Sequence, residues 1–318
     1  MLGEFDIIRR FFMPPTDHTV LAGGDDAALI AVRAGMELAV STDALIAGRH
    51  FFEDADAYGV GWKCMAVNLS DMAAMGASPR WATLALSLPR SDEQWLEQFA
   101  RGFLDLAADQ GVDLIGGDTT RGPLMVCVHI MGEVPAGQAL RRAGARAGDD
   151  LWISGAVGDA ALALAHARGD FRLHASDLDY AFKRLNQPHP RVQLGQSLLG
   201  FASAAIDVSD GLMADVQHIA TASAVRAVLH WEQIPLSPVA KSYRAHPIVC
   251  QAALAGGDDY ELAFTAAPGV RAEIEALPGQ LGLALTRIGT MEPGAGVVVL
   301  DAGGKPIDLA ERGFDHFR

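Results

Sequence analysis

The chain has 318 residues and a mass of 33.6 kDa, about twice the length of a typical domain of roughly 150 residues, which predicts two domains. Half of its residues are hydrophobic and 20% are charged, so its composition excludes a disordered or fibrous chain. The net charge of −14 disfavours binding to nucleic acids and to anionic membrane surfaces, because both carry negative charge themselves.

The cysteines and the N-terminus indicate where the protein works. Cys64, Cys127 and Cys250 lie far apart and form no C-x-x-C pattern, so neither a disulfide framework nor a thiolate zinc site is expected. The N-terminal residues include early acidic side chains and no apolar stretch of signal-peptide length. No later run approaches the roughly 20 apolar residues that a membrane span needs. We therefore expect an unexported, cytoplasmic protein.

The first half of the chain predicts strands and helices in alternation. Apolar and β-branched residues predict strands, and apolar residues at helical spacing predict helices. The expected strands are 27–31, 36–42, 81–88, VDLI (112–115) and LMVCVHIMGEV (124–134). The expected helices are 57–75 and 91–110, the second with Ser91 as its N-cap. A segment rich in Gly, Ala and Arg follows at 135–150 and is expected to link two domains, 1–137 and 138–318.

The second half repeats this alternation, which indicates an α/β fold with α+β layers rather than a helical bundle or a β-sandwich. The expected strands are LWISG (151–155), AAIDV (204–208), AVRAVLHW (224–231), YELAFTA (260–266), TRIGTM (286–291) and GVVVL (296–300). The expected helices are GDAALALAHARG (158–169), two near 176–202, LMADVQHIATAS (212–223) and VRAEIEAL (270–277).

Six Asp-bearing segments, which we interpret as turns, carry the chemical information. They are GGDDAA (23–28), STDALIAGRH (41–50), NLSDMAAMGA (68–77), GGDTTRG (116–122), DVSDG (207–211) and GGDDYEL (256–262). Magnesium prefers oxygen ligands, and small neighbours let a metal ion and a phosphate approach the backbone. A single Asp of this kind is more often a turn or cap residue than a ligand. Six of them together indicate a site for a metal and a nucleotide.

Other phosphate-binding signatures are missing from the sequence. It has no G-x-x-x-x-G-K-[ST] loop, no G-x-G-x-x-G and neither of the kinase elements H-R-D and D-F-G. If the chain handles ATP, it therefore uses carboxylates and metal. Arg121 and Arg142 could add direct phosphate contacts, although a surface role is the simpler interpretation of each. Among the scattered histidines, His50 closes the STD segment and could reach the same site.

The succession GDDAA, STDALIAGRHF, KCMAVNLSDMAAMGASP, LIGGDTTRGP, AIDVSDGLMADVQHI and GGDDYELAFT resembles that of the bacterial thiamine-monophosphate kinases, over nearly the whole chain. GDD and SDG also occur in a wider superfamily of ATP-dependent enzymes, which includes aminoimidazole ribonucleotide synthetase and selenophosphate synthetase. NLSDMAAMGA and LIGGDTTRGP are more specific to the kinases.

This resemblance implies a two-domain fold, a homodimer formed through the N-terminal domains into a shared β-barrel, and phosphorylation of thiamine phosphate by ATP. It implies contacts to several Mg²⁺ ions, to ATP and to thiamine phosphate. The implied magnesium ligands are Asp26, Ser41, Thr42, Asp43, Asp71, Asp118, Asp207 and Asp210, of which Asp43, Asp71, Asp118 and Asp210 would be central to catalysis. The implied ATP contacts are Gly117, Asp118, Arg142 and Ser209, and the implied thiamine phosphate contacts are His50, Asp258 and Phe314.

Two positions depart from the family pattern, because Asp258 stands where the family has Glu and Phe314 where it has Tyr. The expected chemistry is direct in-line transfer, since a phosphate monoester oxygen is already anionic at neutral pH and needs no general base. The homodimer is also expected from the apolar strands WATLALSL and LMVCVHIMGEV, whose apolar faces exceed what one domain's helices can cover.

Two other functions stay open. The first is another enzyme of the same superfamily, acting on a different acceptor. The second is a noncatalytic acidic protein that binds divalent cations, although the chain has no EF-hand spacing.

Overall fold

The structure, a computed structural model, describes residues 3–309 and residue 313. These residues form two compact units. The first comprises the described residues up to Met72 together with Ala77–Gly137, and the second comprises Ala73–Gly76 and the described residues from Gln138 onward. No helix in the described ranges has the length and apolarity needed to cross a membrane.

The first unit contains a four-stranded mixed sheet with helices. The helices are α1 (Glu4–Phe11), α2 (Ala57–Ala74) and α3 (Glu93–Asp109), and the strands are β1 (Met36–Ile46), β2 (Ser78–Leu88), β3 (Asp113–Arg121) and β4 (Met125–Pro135). The strand order is β1-β4-β2-β3, with β2 and β3 parallel and the other neighbours antiparallel. The core of this unit includes the fully buried side chains of Trp81, Phe99 and Phe103.

The second unit contains a six-stranded mixed sheet in the order β10-β7-β9-β5-β8-β6. Its strands are β5 (Asp150–Ser154), β6 (Ala202–Val208), β7 (Arg226–His230), β8 (Glu261–Ala266), β9 (Leu285–Glu292) and β10 (Gly296–Leu300). Its helices are α4 (Asp159–Arg168), α5 (Leu178–Asn186), α6 (Val192–Ser197), α7 (Leu212–Ser223), α8 (Pro238–Ser242), α9 (Pro247–Ala255) and α10 (Arg271–Leu281). The expected mixed α/β class is confirmed.

Three local expectations from the sequence are wrong. Residues 27–31 form no strand, because only Leu29 pairs there, through an isolated bridge to Leu21. The N-cap of α3 is Asp92 rather than Ser91, and the Asp92 carboxylate accepts a hydrogen bond from the Trp95 backbone N–H. The segments around Asp43, Asp71 and Asp118 are not turns, because these residues lie inside β1, α2 and β3.

The strands expected to leave apolar surface uncovered do not do so. Trp81, Leu84 and Leu86 of β2 are buried, as are Val126 and Val128 of β4. The exposed large apolar side chains of this sheet lie instead on its edge strand β1. They are Leu38, Val40 and Ile46, with 41%, 59% and 43% of their surface exposed. Their even spacing along the strand places them on one face.

Candidate functional site

In the first unit, β1 and α2 bring two of the expected ligands into contact. Ser41 and Asp43 are two residues apart on β1, where they pair with Ile130 and Val128 of β4. The Ser41 hydroxyl donates a hydrogen bond to the Asp71 carboxylate, which projects from α2. Because alternate residues of a strand share a face, Asp43 lies on the same side of β1 as the Ser41 hydroxyl.

The negative charge of Asp43 contributes to the raised pKa of two neighbouring thiols. Burial raises the pKa of the Cys64 thiol, Lys63 opposes this effect and the Asp43 carboxylate adds to it. Burial also raises the pKa of Cys127, and Asp43 again acts in the same direction. Cys64 belongs to α2, the helix that carries Asp71, so the carboxylate of Asp43 lies near this helix. Both thiols are therefore held in the neutral form and are poor nucleophiles at neutral pH.

Strand β3 carries the exposed Gly117 and Asp118. A Cβ atom at position 117 would lie 1.8 Å from the Leu84 carbonyl oxygen of the neighbouring β2, so the close pairing of these strands requires glycine there. Asp118 pairs with Ala85 of β2. Because β1 and β3 are the two edges of the sheet, the strand ladder alone does not place Asp43 beside Asp118.

Asp26, Thr42 and His50 complete the expected residues of this unit. Asp26 is exposed and its backbone N–H donates to the Asp25 carboxylate at 2.9 Å, whereas Thr42 is exposed on β1. The Nδ1 atom of His50 accepts a hydrogen bond from the Ile46 backbone N–H at 3.0 Å, so a neutral His50 ring carries its proton on Nε2. The Lys63 ammonium lies 3.5 Å from the His50 carbonyl oxygen. Lys63 was not expected from the sequence, and only 3% of this residue is exposed.

In the second unit, residues 207–211 comprise the end of β6 and the turn that follows it, together called the loop 207–211, and a buried carboxylate holds this turn in place. Asp207 is buried near the end of β6, and Ser209 and Asp210 follow it at half-exposed positions. One oxygen of Asp215 on α7 accepts the backbone N–H groups of Ser209, Asp210 and Gly211 at 3.0, 3.0 and 3.1 Å. Burial, followed by the charges of Asp207 and Asp210, raises the pKa of Asp215 to about 8.

Asp215 was not expected from the sequence. Its carboxylate fixes the loop that carries the expected residues Ser209 and Asp210. An acidic residue in the first turn of a helix commonly accepts free backbone N–H groups there, which is the signal that could have revealed it. After burial, the charges of Asp207 and Asp210 contribute to the raised pKa of Asp215, because like charges disfavour its ionised form.

Residues 256–261, which end at the first residue of β8 and are called the loop 256–261, lie against the loop 207–211. The backbone N–H of Asp258 donates to the Ser209 carbonyl at 2.9 Å, and that of Tyr260 donates to the Val208 carbonyl at 2.8 Å. A Cβ atom on Gly257 would lie 2.4 Å from the same Ser209 oxygen. The loop with an expected ATP contact and the loop with an expected acceptor contact are therefore joined directly through their backbones.

Two buried acids anchor the loop 256–261. Asp259 accepts the Gly158 backbone N–H with both carboxylate oxygens, at 3.0 and 2.8 Å. Glu261 is fully buried and pairs with Arg184 at 3.0 Å and with Arg191 at 2.5 Å. Burial raises the pKa of Asp259 well above its usual range, although Arg184 and the Gly158 N–H oppose this. No local sequence pattern indicates these ion pairs, because the partners are 70 or more residues apart.

The remaining two expected residues are Arg142 and Phe314. Arg142 is exposed, and its backbone carbonyl accepts a hydrogen bond from the Ser223 hydroxyl at the end of α7. Phe314 lies outside the described residues. The preceding Gly313 is described, and a Cβ atom there would lie 2.5 Å from the Ala214 Cβ and 3.3 Å from the Asp210 carbonyl oxygen. Gly313 therefore lies beside the loop 207–211.

The donor set suits magnesium chemically. The expected ligands are carboxylates and hydroxyls, which are the hard oxygen donors that this ion prefers. Within residues 3–309 and 313, no three His, Cys, Asp or Glu side chains already converge on a common metal position. The residues thus match the ion in type, whereas a ready-made cage of protein ligands is absent from the described chain. Magnesium usually completes its coordination with water and substrate phosphates rather than with such a cage.

Comparisons with known proteins agree with the resemblance read from the motifs. The family profile "AIR synthase related protein, N-terminal domain" matches residues 24–134. The thiamine-monophosphate kinase of Escherichia coli strain K12 is 42% identical over 99% of this chain and 98% of its own length. The crystal structure of the thiamine-monophosphate kinase from Stenotrophomonas maltophilia K279a has a TM-score of 0.86 and 47% identity, covering 92% of this chain and 93% of that one.

A further solved structure carries ligands. It is described as AaThiL complexed with AMPPCP and TMP, and has a TM-score of 0.78 and 29% identity, covering 90% of this chain and 89% of that one. The motif series, the fold and these full-length similarities lead to one conclusion. The chain belongs to the thiamine-monophosphate kinase family.

Proposed function

We propose that this protein transfers the γ-phosphoryl group of ATP to thiamine phosphate, giving ADP and thiamine diphosphate. The observation that carries the proposal is the full-length similarity to thiamine-monophosphate kinases, one relative being solved with an ATP analogue and TMP. The same similarity weakens the alternative of a noncatalytic cation-binding protein. A different acceptor within the superfamily is the alternative that an assay must exclude.

The proposed roles follow the two units. The magnesium ligands are Asp26, Ser41, Thr42, Asp43, Asp71 and Asp118 in residues 1–137, and Asp207 and Asp210 in residues 138–318. When bound at these residues, magnesium would supply positive charge that offsets the charge of the phosphates. Gly117, Asp118, Arg142 and Ser209 contact ATP, and His50, Asp258 and Phe314 contact thiamine phosphate.

The nucleophile in this reaction is an oxygen of the thiamine phosphate itself. This oxygen is anionic at neutral pH, so the protein's task is to bind and align two polyanions rather than to remove a proton. The neutral thiols of Cys64 and Cys127 are poorly suited to relay a phosphoryl group. We therefore propose direct in-line transfer without a phosphorylated enzyme.

A coupled assay of ADP release tests the function. Thiamine phosphate should give ADP release in the presence of magnesium, whereas thiamine and other phosphate monoesters should give little. ADP release with another acceptor alone would favour a different enzyme of the superfamily. Incubation with γ-labelled ATP and no acceptor should leave the protein unlabelled, and a stoichiometric label that chases into product would contradict direct transfer.

We also propose that the protein is a homodimer formed through its first unit, in the shared-barrel arrangement that the family resemblance implies. The exposed apolar side chains on one face of β1 support a second copy as the occupant, because an interface would remove this apolar surface from water. Light scattering should give about twice the 33.6 kDa chain mass. Val40→Asp should yield a monomer, whereas Phe201→Asp, at an exposed apolar position in the second unit, should not.

Phe314 and the location of the protein remain predictions. A phenylalanine at position 314 offers the same aromatic face as tyrosine to the electron-poor rings of thiamine. Phe314→Ala should therefore raise the KM for thiamine phosphate far more than the KM for ATP, and Phe314→Tyr should change little. An ATP-consuming reaction fits the cytoplasmic location expected from the sequence.

A further inference from the structure

The loop 256–261 has an unusual backbone. Asp258 and Tyr260 have φ angles of 70° and 51°, in the left-handed region that side-chain-bearing residues seldom adopt. Residues in such conformations persist only where their surroundings hold them, and they occur most often at functional sites. The surrounding protein therefore holds the loop in a conformation that residues such as Asp258 and Tyr260 seldom adopt.

Alternate residues of this loop have different tasks. Asp259 and Glu261 are directed into the protein, where they bond to the Gly158 N–H and to two arginines. Asp258 and Tyr260 interact with each other, because the Tyr260 hydroxyl donates to Oδ1 of Asp258 at 3.1 Å. The Tyr260 residue is 9% exposed, whereas Asp258 is half-exposed. A buried ring thus presents its hydroxyl to a carboxylate that solvent or a ligand can reach.

We propose that Tyr260 is a positioning residue for the acceptor, because its hydroxyl fixes the direction of the Asp258 carboxylate. The proposal rests on the proposed function, in which Asp258 contacts thiamine phosphate. A carboxylate is attracted by the cationic thiazolium ring and by the amino group of this acceptor. Aspartate is one methylene shorter than the glutamate of the family pattern, so it has less reach and its direction matters more.

The effect of losing the hydroxyl should remain local. The backbone bonds from Asp258 to Ser209 and from Tyr260 to Val208 do not involve the side chains, so Tyr260→Phe leaves the two loops joined. The phenylalanine ring also fills the same buried space. Ser209, an expected ATP contact, should therefore keep its position, whereas the Asp258 carboxylate gains freedom to rotate.

The experiment compares Tyr260→Phe, Asp258→Ala and the double variant with the wild type. A control is Tyr243→Phe, outside both loops, which removes a tyrosine hydroxyl that donates to Asp177 at 2.6 Å and accepts the His174 backbone N–H at 2.7 Å. Each protein is assayed for kcat and for the two KM values, and thermal unfolding confirms folding. Calorimetric titration of thiamine phosphate in the presence of AMPPCP measures acceptor binding without turnover.

Tyr260→Phe should raise the KM and the Kd for thiamine phosphate by about 3- to 10-fold, the range expected for one hydrogen bond, and leave the KM for ATP within about 2-fold. Asp258→Ala should weaken acceptor binding at least as much, and the double variant should be no worse than Asp258→Ala alone. Tyr243→Phe should change neither KM.

Two results would overturn the inference while leaving the proposed function intact. One is an unchanged KM for thiamine phosphate in Tyr260→Phe, when Asp258→Ala binds thiamine phosphate more weakly than the wild type. The other is a double variant whose defect is the product of the two single defects, because the hydroxyl would then act independently of Asp258. A wild-type protein that releases no ADP with thiamine phosphate, or an Asp258→Ala variant with normal acceptor binding, would overturn the placement of Asp258 and this inference with it.

Discussion

The two units hold their acidic residues in different ways. In the first unit, Asp43, Asp71 and Asp118 lie inside regular elements, whose backbone hydrogen bonds already fix the chain. In the second unit, Ser209, Asp210 and Asp258 lie on loops, which need partners of their own. Those partners are other acids, namely Asp215, Asp259 and Glu261, buried beneath the loops. The neighbouring acids Asp258 and Asp259 thus differ, because Asp258 is half-exposed and open to a ligand whereas Asp259 is buried and holds the backbone.

The largest effect that would test this difference concerns the buried anchor Glu261. Glu261→Ala leaves two largely buried arginines without their carboxylate, so we expect a loss of about 3–5 kcal/mol in the free energy of unfolding. Urea denaturation measures this loss. The exposed Glu275 on α10 provides the control, since Glu275→Ala should change stability by less than about 0.5 kcal/mol. Equal stability of the two variants would show that the second-unit loops need no anchor.

The next effect concerns residues of the first unit. Asp71→Asn and Asp118→Asn should each lower kcat by about 100-fold or more, which corresponds to about 2.7 kcal/mol, because each removes a proposed magnesium ligand. Their free energies of unfolding should stay within about 1 kcal/mol of the wild type or rise, since a like charge is lost. Asp109→Asn, at the exposed end of α3, is the control for activity. Near-normal turnover of the first two variants at saturating magnesium would make these acids structural.

The smallest effect concerns Asp113, an anchor in the first unit. Its carboxylate accepts hydrogen bonds from the backbone N–H groups of Asp17 and His18 and from the Thr19 hydroxyl. Burial raises the pKa of Asp113, but the hydrogen bonds outweigh burial and the net pKa is lowered. A lowered pKa in the folded state stabilises the protein above the unfolded pKa of about 3.9, and this stabilisation is lost as the pH falls through the folded value.

Asp113→Asn should therefore cost about 1–2 kcal/mol near neutral pH, and the difference from the wild type should shrink below about pH 4. Denaturation at several pH values measures this difference. Thr19→Ala separates the contributions, because it removes one donor and keeps the charge. If the loss in the free energy of unfolding were independent of pH, the charge of Asp113 would contribute nothing to stability. The first unit would then lack a charged anchor of the kind found in the second.

The sequence predicted the regular elements best where apolar residues recur clearly. The expected helix at 57–75 is α2 (Ala57–Ala74), and the expected helix at 212–223 is α7 (Leu212–Ser223). Helix α9 (Pro247–Ala255) was missed because its residues are mostly apolar all round and show no periodic face. Helix α1 was missed as well, although its buried residues Ile7 and Phe11 are four positions apart, as expected for one face of a helix.

The site was predictable in its motifs and not in its supports. The GGDTTR residues were interpreted as a turn because Gly, Asp and Thr favour turns, whereas the pairing of β3 with β2 keeps them extended. The bonds of Glu261 to Arg184 and Arg191 join residues 77 and 70 positions apart, and no local pattern encodes such distances. A motif match therefore identifies a segment, and only the fold shows which of its acids face inward.

The closeness of Gly117 to β2 affects how mutational data on this family member should be interpreted. Any side chain at this position would collide with the Leu84 carbonyl oxygen and force two strands apart, whether or not a nucleotide ever binds there. Intolerance of substitution at position 117 would thus report strand pairing first. The adjacent Asp118, exposed and free of this steric constraint, is the position at which a screen can separate loss of nucleotide binding from loss of the fold.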